Sequence, residues 1–155
     1  MGEWKFAADR NLGKLAKWLR ILGYDTLYDR GDSDRLFLQR AADEKRVALT
    51  RRRDLVRVPK PGLLIVVESD RVGVQMKEVF TALKGDPDPA RRMTRCLICN
   101  ETLAEIAKES VAGSVPAYVF ETCARFRRCP RCCRIFWPGT HTRQMDRYLR
   151  ERLAL

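Results

Sequence analysis

Histidine is nearly absent from the chain: His141 is the only one in 155 residues. A mechanism built on histidine acid–base pairs has too few parts here. Long apolar runs are missing as well. No stretch of 18 apolar residues occurs, so no membrane-spanning segment is expected. The start, MGEWKFAADR, has no apolar core of the secretory kind, which predicts a cytoplasmic protein with reduced thiols. Neither G-x-x-x-x-G-K-[ST] nor G-x-G-x-x-G is present, so nucleotide-binding readings have no motif behind them. There is no internal repeat and no low-complexity tract.

Negative charge is in short supply. Asp and Glu number 20 against 31 Lys and Arg, a formal net charge of +11. Such an excess favours a polyanionic partner, nucleic acid first and an anionic membrane second. The excess is not a tail: residues 1–84 carry 18 basic against 12 acidic side chains, and residues 85–155 carry 13 against 8. A hydrophobic content of 45% supplies enough apolar side chains for a sizeable core.

Apolar strands alternate with helical spacing through the first half. Lys5–Ala8, Asp25–Tyr28, Val47–Thr50 and Gly62–Val67 read as strands. Between them, Leu12, Leu15, Ala16, Leu19 and Leu22 predict a helix that Gly23 stops. Leu36, Phe37 and Ala41 predict a second, capped by Asp32 or Ser33. Asp70 is expected to cap a third, with Val72, Met76, Val79, Phe80 and Leu83 on one face. This alternation predicts an α/β domain at residues 1–84, a parallel sheet with helices on both faces. The prolines and glycine of GDPDPARRMT mark residues 85–94 as a linker. Residues 95–155 then carry cysteine pairs, short strands, a short helix near 101–108, and a C-terminal helix with Met145, Tyr148, Leu149 and Leu153 on one side.

Cys96 and Cys99 form one C-x2-C pair, and Cys129 and Cys132 another. Two such turns aim four thiolates at one ion and predict a structural zinc site. Cys133 is the rival to Cys132, and Cys123 is a spare. With four cysteines at hand, His141 is not needed as a ligand and reads better as structural or RNA-contacting.

Acids gather elsewhere. Asp9, Asp29, Asp32, Asp34 and Asp54 all fall at or just past the expected carboxyl ends of strands, which share one edge of a parallel sheet. Acids collected there repel one another unless they hold Mg²⁺ or Mn²⁺, ions that activate water in phosphodiester hydrolysis.

FAADRNLGKLAKWLRILGYDT, DSDRLFLQRAADEKRVALTR, RCLICN and CPRCCRIFWPGTHTRQM, in that order, resemble the PIN-like ribonuclease family named for the C-terminal domain of the mutator-seven exonuclease. The resemblance covers nearly the whole chain. It implies a PIN-like α/β domain, a zinc ribbon, and metal-dependent ribonuclease activity. By position it makes Asp9 and Asp34 the metal-binding carboxylates, with Asp32 beside Asp34. The family's third block, T-R-D-x-x-L, reads here Thr50-Arg51-Arg52-Arg53-Asp54-Leu55. Arg52 stands where the acid belongs, and a guanidinium cannot ligate a cation. In an extended segment Asp54 would face the same side as residue 52 and could substitute. Two readings follow: a Mg²⁺- or Mn²⁺-dependent ribonuclease, or a non-catalytic RNA-binding or adaptor module whose PIN site is degenerate. A DNA-binding zinc protein is a third. RNA is the expected partner, structured, ribosomal or tRNA-related RNA among the candidates. Arg10, Lys14, Lys17, Arg51, Arg52 and Arg53 would contact phosphates. In the ribbon, Arg127, Arg128, Arg131 and Arg134, interleaved with Phe126, Phe136 and Trp137, would grip a strand by charge and stacking.

Overall fold

The computed structural model describes residues 3–32, 34–59 and 61–154. It divides into two compact units, the first ending at Asn100 and the second beginning at Glu101. The first is built on a four-stranded sheet. β1 (Phe6–Ala8), β2 (Thr26–Tyr28), β3 (Val47–Thr50) and β4 (Leu64–Val66) lie in the order β2-β1-β3-β4, every pair parallel. β1 and β3 are buried along their whole length, as a sheet covered on both faces requires.

The alternation of side chains along the strands sorts the helices. Ala7 and Ala48 point to one face and pack with Phe37, Leu38 and Ala41 of α2 (Arg35–Asp43). Phe6 points to the other, where its ring stands edge-on to Tyr24 at 5.6 Å, and Tyr24 meets Phe80 of α3 (Val72–Leu83) at 5.7 Å. α1 (Gly13–Ile21) packs against α3. Gly23 ends α1 as expected, at φ +91°, and a Cβ there would lie 2.2 Å from the Arg91 carbonyl oxygen. Only glycine meets both demands.

Two caps differ from expectation. Asp34, not Asp32, caps α2, its carboxylate accepting from the Phe37 N–H at 3.1 Å; Ser33, the other candidate, lies outside the described residues. Asp70 does not cap α3, whose N-cap is Arg71 with no side-chain cap bond. Glu78 instead reaches back to accept from the N–H groups of Glu68 and Ser69, and Gln75 donates to the Ser69 carbonyl.

Residues 85–100 continue along the first unit. A 3-10 turn forms at Pro89–Arg91, and the Met93 N–H donates to the Ile21 carbonyl at 2.8 Å.

The second unit holds an antiparallel sheet in the order β5-β6-β7: β5 (Ala104–Ile106), β6 (Phe126–Arg128) and β7 (Ile135–Phe136). The helix expected near 101–108 is therefore a strand. Alanine and glutamate favour helix locally, but pairing of Ala104, Glu105 and Ile106 with Arg128, Arg127 and Phe126 decides the outcome. The inserted helix comes later, as α4 (Ala117–Thr122). Val111, Val119 and Phe126 make a small core, with Ile106, Ile135 and Trp137 packed on it. α5 (Thr140–Tyr148) runs into a π-helical turn at Leu149–Leu153, with Leu149 and Leu153 buried.

Candidate functional site

In the order β2-β1-β3-β4 the chain leaves β1 toward one side and β3 toward the other. Their carboxyl ends therefore flank the crevice where open α/β sheets bind ligands. Asp9 follows β1 there and Thr50 ends β3. Asp9 is 1% exposed. One of its carboxylate oxygens accepts from the Thr50 hydroxyl at 2.5 Å, the other from the Asn11 N–H at 3.0 Å. Thr50 Oγ1 in turn accepts from the Arg52 N–H at 3.1 Å. A polar group buried this deeply needs such partners, and it has them.

Asp34 is half-buried at the head of α2. Asp32 is exposed and pairs with Arg10 at 3.3 Å; Asp29 pairs with Arg40 at 2.7 Å. Past β3 the chain does not run on extended. Residues Arg53–Arg57 turn into a 3-10 helix behind Arg52, so the spacing that would have let Asp54 stand in for residue 52 does not form. Asp54 instead takes two hydrogen bonds from the Arg52 guanidinium, from Nε at 3.2 Å and Nη2 at 2.5 Å. That bond holds the Asp54 carboxyl below its ordinary range. The same bond, with the negative fields of Asp54, Asp9 and Asp34 behind it, raises the Arg52 guanidinium above its own.

Among the described residues, no three carboxylates come close enough to share one ion. Magnesium asks for near-octahedral oxygen ligation at about 2.0–2.1 Å. The ion keeps several waters and takes as few as one or two protein carboxylates, so Asp9 and Asp34 are the acids that would hold it. The positive charge in their field is Arg52.

The cysteines do converge. Sγ of Cys96, Cys99, Cys129 and Cys132 all lie within 4.8 Å of one another. Zinc–sulfur bonds of about 2.3 Å put tetrahedral sulfurs about 3.8 Å apart, so the set fits one zinc ion. The two turns are alike. The Cys99 N–H points at Cys96 Sγ at 3.4 Å, and the Cys132 N–H at Cys129 Sγ at 3.5 Å. Each turn ends in a left-handed residue, Asn100 at φ 65° and Cys133 at φ 61°. Cys133 occupies that closing position, exposed and outside the cluster, so Cys132 is the one aimed at the ion. Cys123 Sγ donates to the Pro138 carbonyl.

A group of residues the sequence did not single out fixes the first turn to the parallel sheet. Arg20 is buried and donates to the carbonyls of Leu97 at 2.8 Å, Ile98 at 3.2 Å and Thr26 at 3.0 Å. Asn100 accepts from the Thr26 N–H at 2.9 Å and donates to Asp25 at 2.7 Å. Arg46 holds Asp25 from the other side at 2.7 and 3.2 Å. Burial alone would raise the Asp25 carboxyl, but the Arg46 and Asn100 hydrogen bonds and the nearby cations outweigh it and hold it below its ordinary value. Asp25→Asn is expected to cost about 1–2 kcal/mol, a modest figure for charged hydrogen bonds because the pair is part-exposed. A depressed folded pKa means the contribution is fully present above the unfolded value of about 3.9 and is lost as pH falls through the folded one. Urea unfolding of both proteins at several pH values checks this: the gap between them should close only in acid.

The basic residues divide. Arg51 and Arg53 are exposed, although Arg53 pairs with Glu68 at 3.3 Å and Arg51 donates to its carbonyl. Arg131, Arg134 and His141 are exposed. Arg127 faces Glu105 across the strand pair at 3.5 Å, and Arg128 is half-buried. Phe126 is buried core and unavailable for stacking; Trp137 is half-buried against it at 6.5 Å. Lys14 and Lys17 are exposed on α1.

No helix among the described residues is long and apolar enough to cross a membrane. Residues 4–149 match the family model described as the Mut7-C RNAse domain. No curated protein and no solved structure was found to match the chain.

Proposed function

Because this chain belongs to the Mut7-C RNAse domain family, we propose that it binds RNA and carries a nuclease centre diminished at one position. The reading rests on Arg52. Its guanidinium lies in the field of Asp9, Asp34 and Asp54, at the sheet edge where a ribonuclease of this kind would bring a metal. The positive surface remains, and with it the means to hold a phosphate backbone. Hydrolysis by the chain as it stands is slow, and any dependence on Mg²⁺ or Mn²⁺ is weak. The same arrangement favours a second reading, a non-catalytic RNA-binding module in which Arg52 holds a phosphate rather than yielding to a metal.

The test is binding and cleavage of a labelled single-stranded RNA, with and without Mn²⁺, by the wild type and Asp9→Asn. Binding is expected to weaken steeply with salt, because each neutralised phosphate releases counterions. Slow cleavage abolished by Asp9→Asn supports the nuclease reading. Binding with no cleavage under any metal supports the module. Affinity that is flat across salt would defeat both.

A further inference from the structure

A cleft of about 490 Å³ opens beside the first two turns of α1, lined also by β2 and the loop inside the first cysteine pair. Ligand clefts of about 300–1,000 Å³ are the usual size for small molecules and single nucleotides. Its lining carries four cations, Lys14, Lys17, Arg20 and Arg30, and no carboxylate. Arg20 is engaged with backbone carbonyls. Lys14 and Lys17 are exposed, lie one turn apart on one helix face, and make no ion pair with any described residue. Charges of one sign gathered round a concave wall are a standing field for an anion.

The rest of the wall is flat or apolar. The Tyr28 ring lies across the start of α1, where a Cβ on Gly13 would meet it at 3.2 Å, and its hydroxyl donates to the Arg10 carbonyl at 2.8 Å. Arg30 stands over that ring at 5.7 Å. Ile98, 53% exposed, supplies an apolar surface on the loop. α1 has no acid in its first turn and no side-chain cap.

We propose that this cleft is a nucleotide subsite for an RNA strand, with a phosphate on Lys14, Lys17 and Arg30 and its base against Tyr28 and Ile98. The proposal rests on the RNA-binding reading and adds to it a place and a mode. Stacking on a fixed ring beside a cationic wall is how single strands are held without sequence preference.

The experiment is fluorescence anisotropy of a labelled single-stranded RNA octamer with the full zinc-loaded chain across a series of salt concentrations. K14Q/K17Q/R30Q should weaken binding about tenfold or more and flatten the salt slope by about two to three. Ile98→Glu, which places a carboxylate in the cleft, should weaken it too. A control triple of equal charge, K45Q/K77Q/K84Q, includes no lining residue and should bind more tightly than the test triple. Retained zinc together with an unchanged far-ultraviolet circular dichroism spectrum shows that each variant is folded. A test triple that matches the wild type, or a control triple that falls as far, overturns the cleft and leaves RNA binding standing. Failure of the wild type to bind the octamer overturns both. Adenosine monophosphate binding more tightly than the octamer would assign the cleft to free nucleotides and overturn the strand.

Discussion

Cys129→Ser protein is expected to purify without zinc and without a fixed ribbon, while the wild type carries about one zinc per chain. Structural zinc contributes on the order of 10–16 kcal/mol of apparent binding energy to small domains of this kind. The β5-β6-β7 sheet has strands of only two or three residues, and its core is Val111, Val119 and Phe126. So small a core cannot replace the ion. Elemental analysis of purified protein and near-ultraviolet circular dichroism read the outcome. A wild type that stays folded and metal-free, or that contains a Cys96–Cys99 disulfide under reducing conditions, defeats the zinc reading. So does a Cys129→Ser protein that keeps its ion.

Arg52→Asp is expected to raise metal-dependent RNA cleavage by about tenfold or more, equivalent to about 1.4 kcal/mol off the barrier. Two effects run the same way. The change removes the guanidinium that Asp9 and Asp34 act upon, and it adds an acid at the position the family motif reserves for one. Residue 52 is two hydrogen bonds from Asp9, since its N–H reaches Thr50 Oγ1 and that hydroxyl reaches Asp9. Fold stability should hardly change, because the Arg52–Asp54 pair is exposed and such pairs contribute little. Asp54, released from Arg52, is not expected to take over: Asp54→Asn in the wild-type background should leave cleavage where it was. The comparison is single-turnover cleavage at saturating RNA by wild type, Arg52→Asp, Asp54→Asn and Asp9→Asn. A fast wild type that Arg52→Asp does not improve would show that residue 52 does not limit the centre. An Arg52→Asp protein that binds RNA yet never cleaves it would favour the adaptor.

The parallel sheet was legible in the sequence because its signals are local. Apolar runs of three or four residues at Phe6, Thr26, Val47 and Leu64 alternate with helical spacing, and Gly23 marks a stop that its positive φ bears out. The cysteine cluster was legible for the same reason: two C-x2-C turns need no knowledge of the rest of the chain. What escaped depended on partners distant in sequence. Arg20 reads as one more surface cation until Leu97 and Ile98, 77 and 78 residues on, present their carbonyls to it. Asn100 follows the cysteine pair like an ordinary turn residue, and only the fold brings Thr26 and Asp25 to its amide. Residues 101–108 misled because alanine, leucine and glutamate favour helix when alone, while the partner strand lies some 20 residues further on. The loop after Thr50 misled by assuming extended chain where a 3-10 turn forms.

The hold of Arg20 and Asn100 on Thr26 also closes part of the sheet's edge. β2 is an outer strand, and an outer strand offers unpaired backbone groups that invite another molecule to add its own. At Thr26 both invitations are withdrawn: its N–H is occupied by the Asn100 side chain and its carbonyl by the Arg20 guanidinium. Side chains therefore stand where a foreign strand would dock, and the margin of the sheet is sealed against edge-to-edge aggregation at the residue where β2 begins.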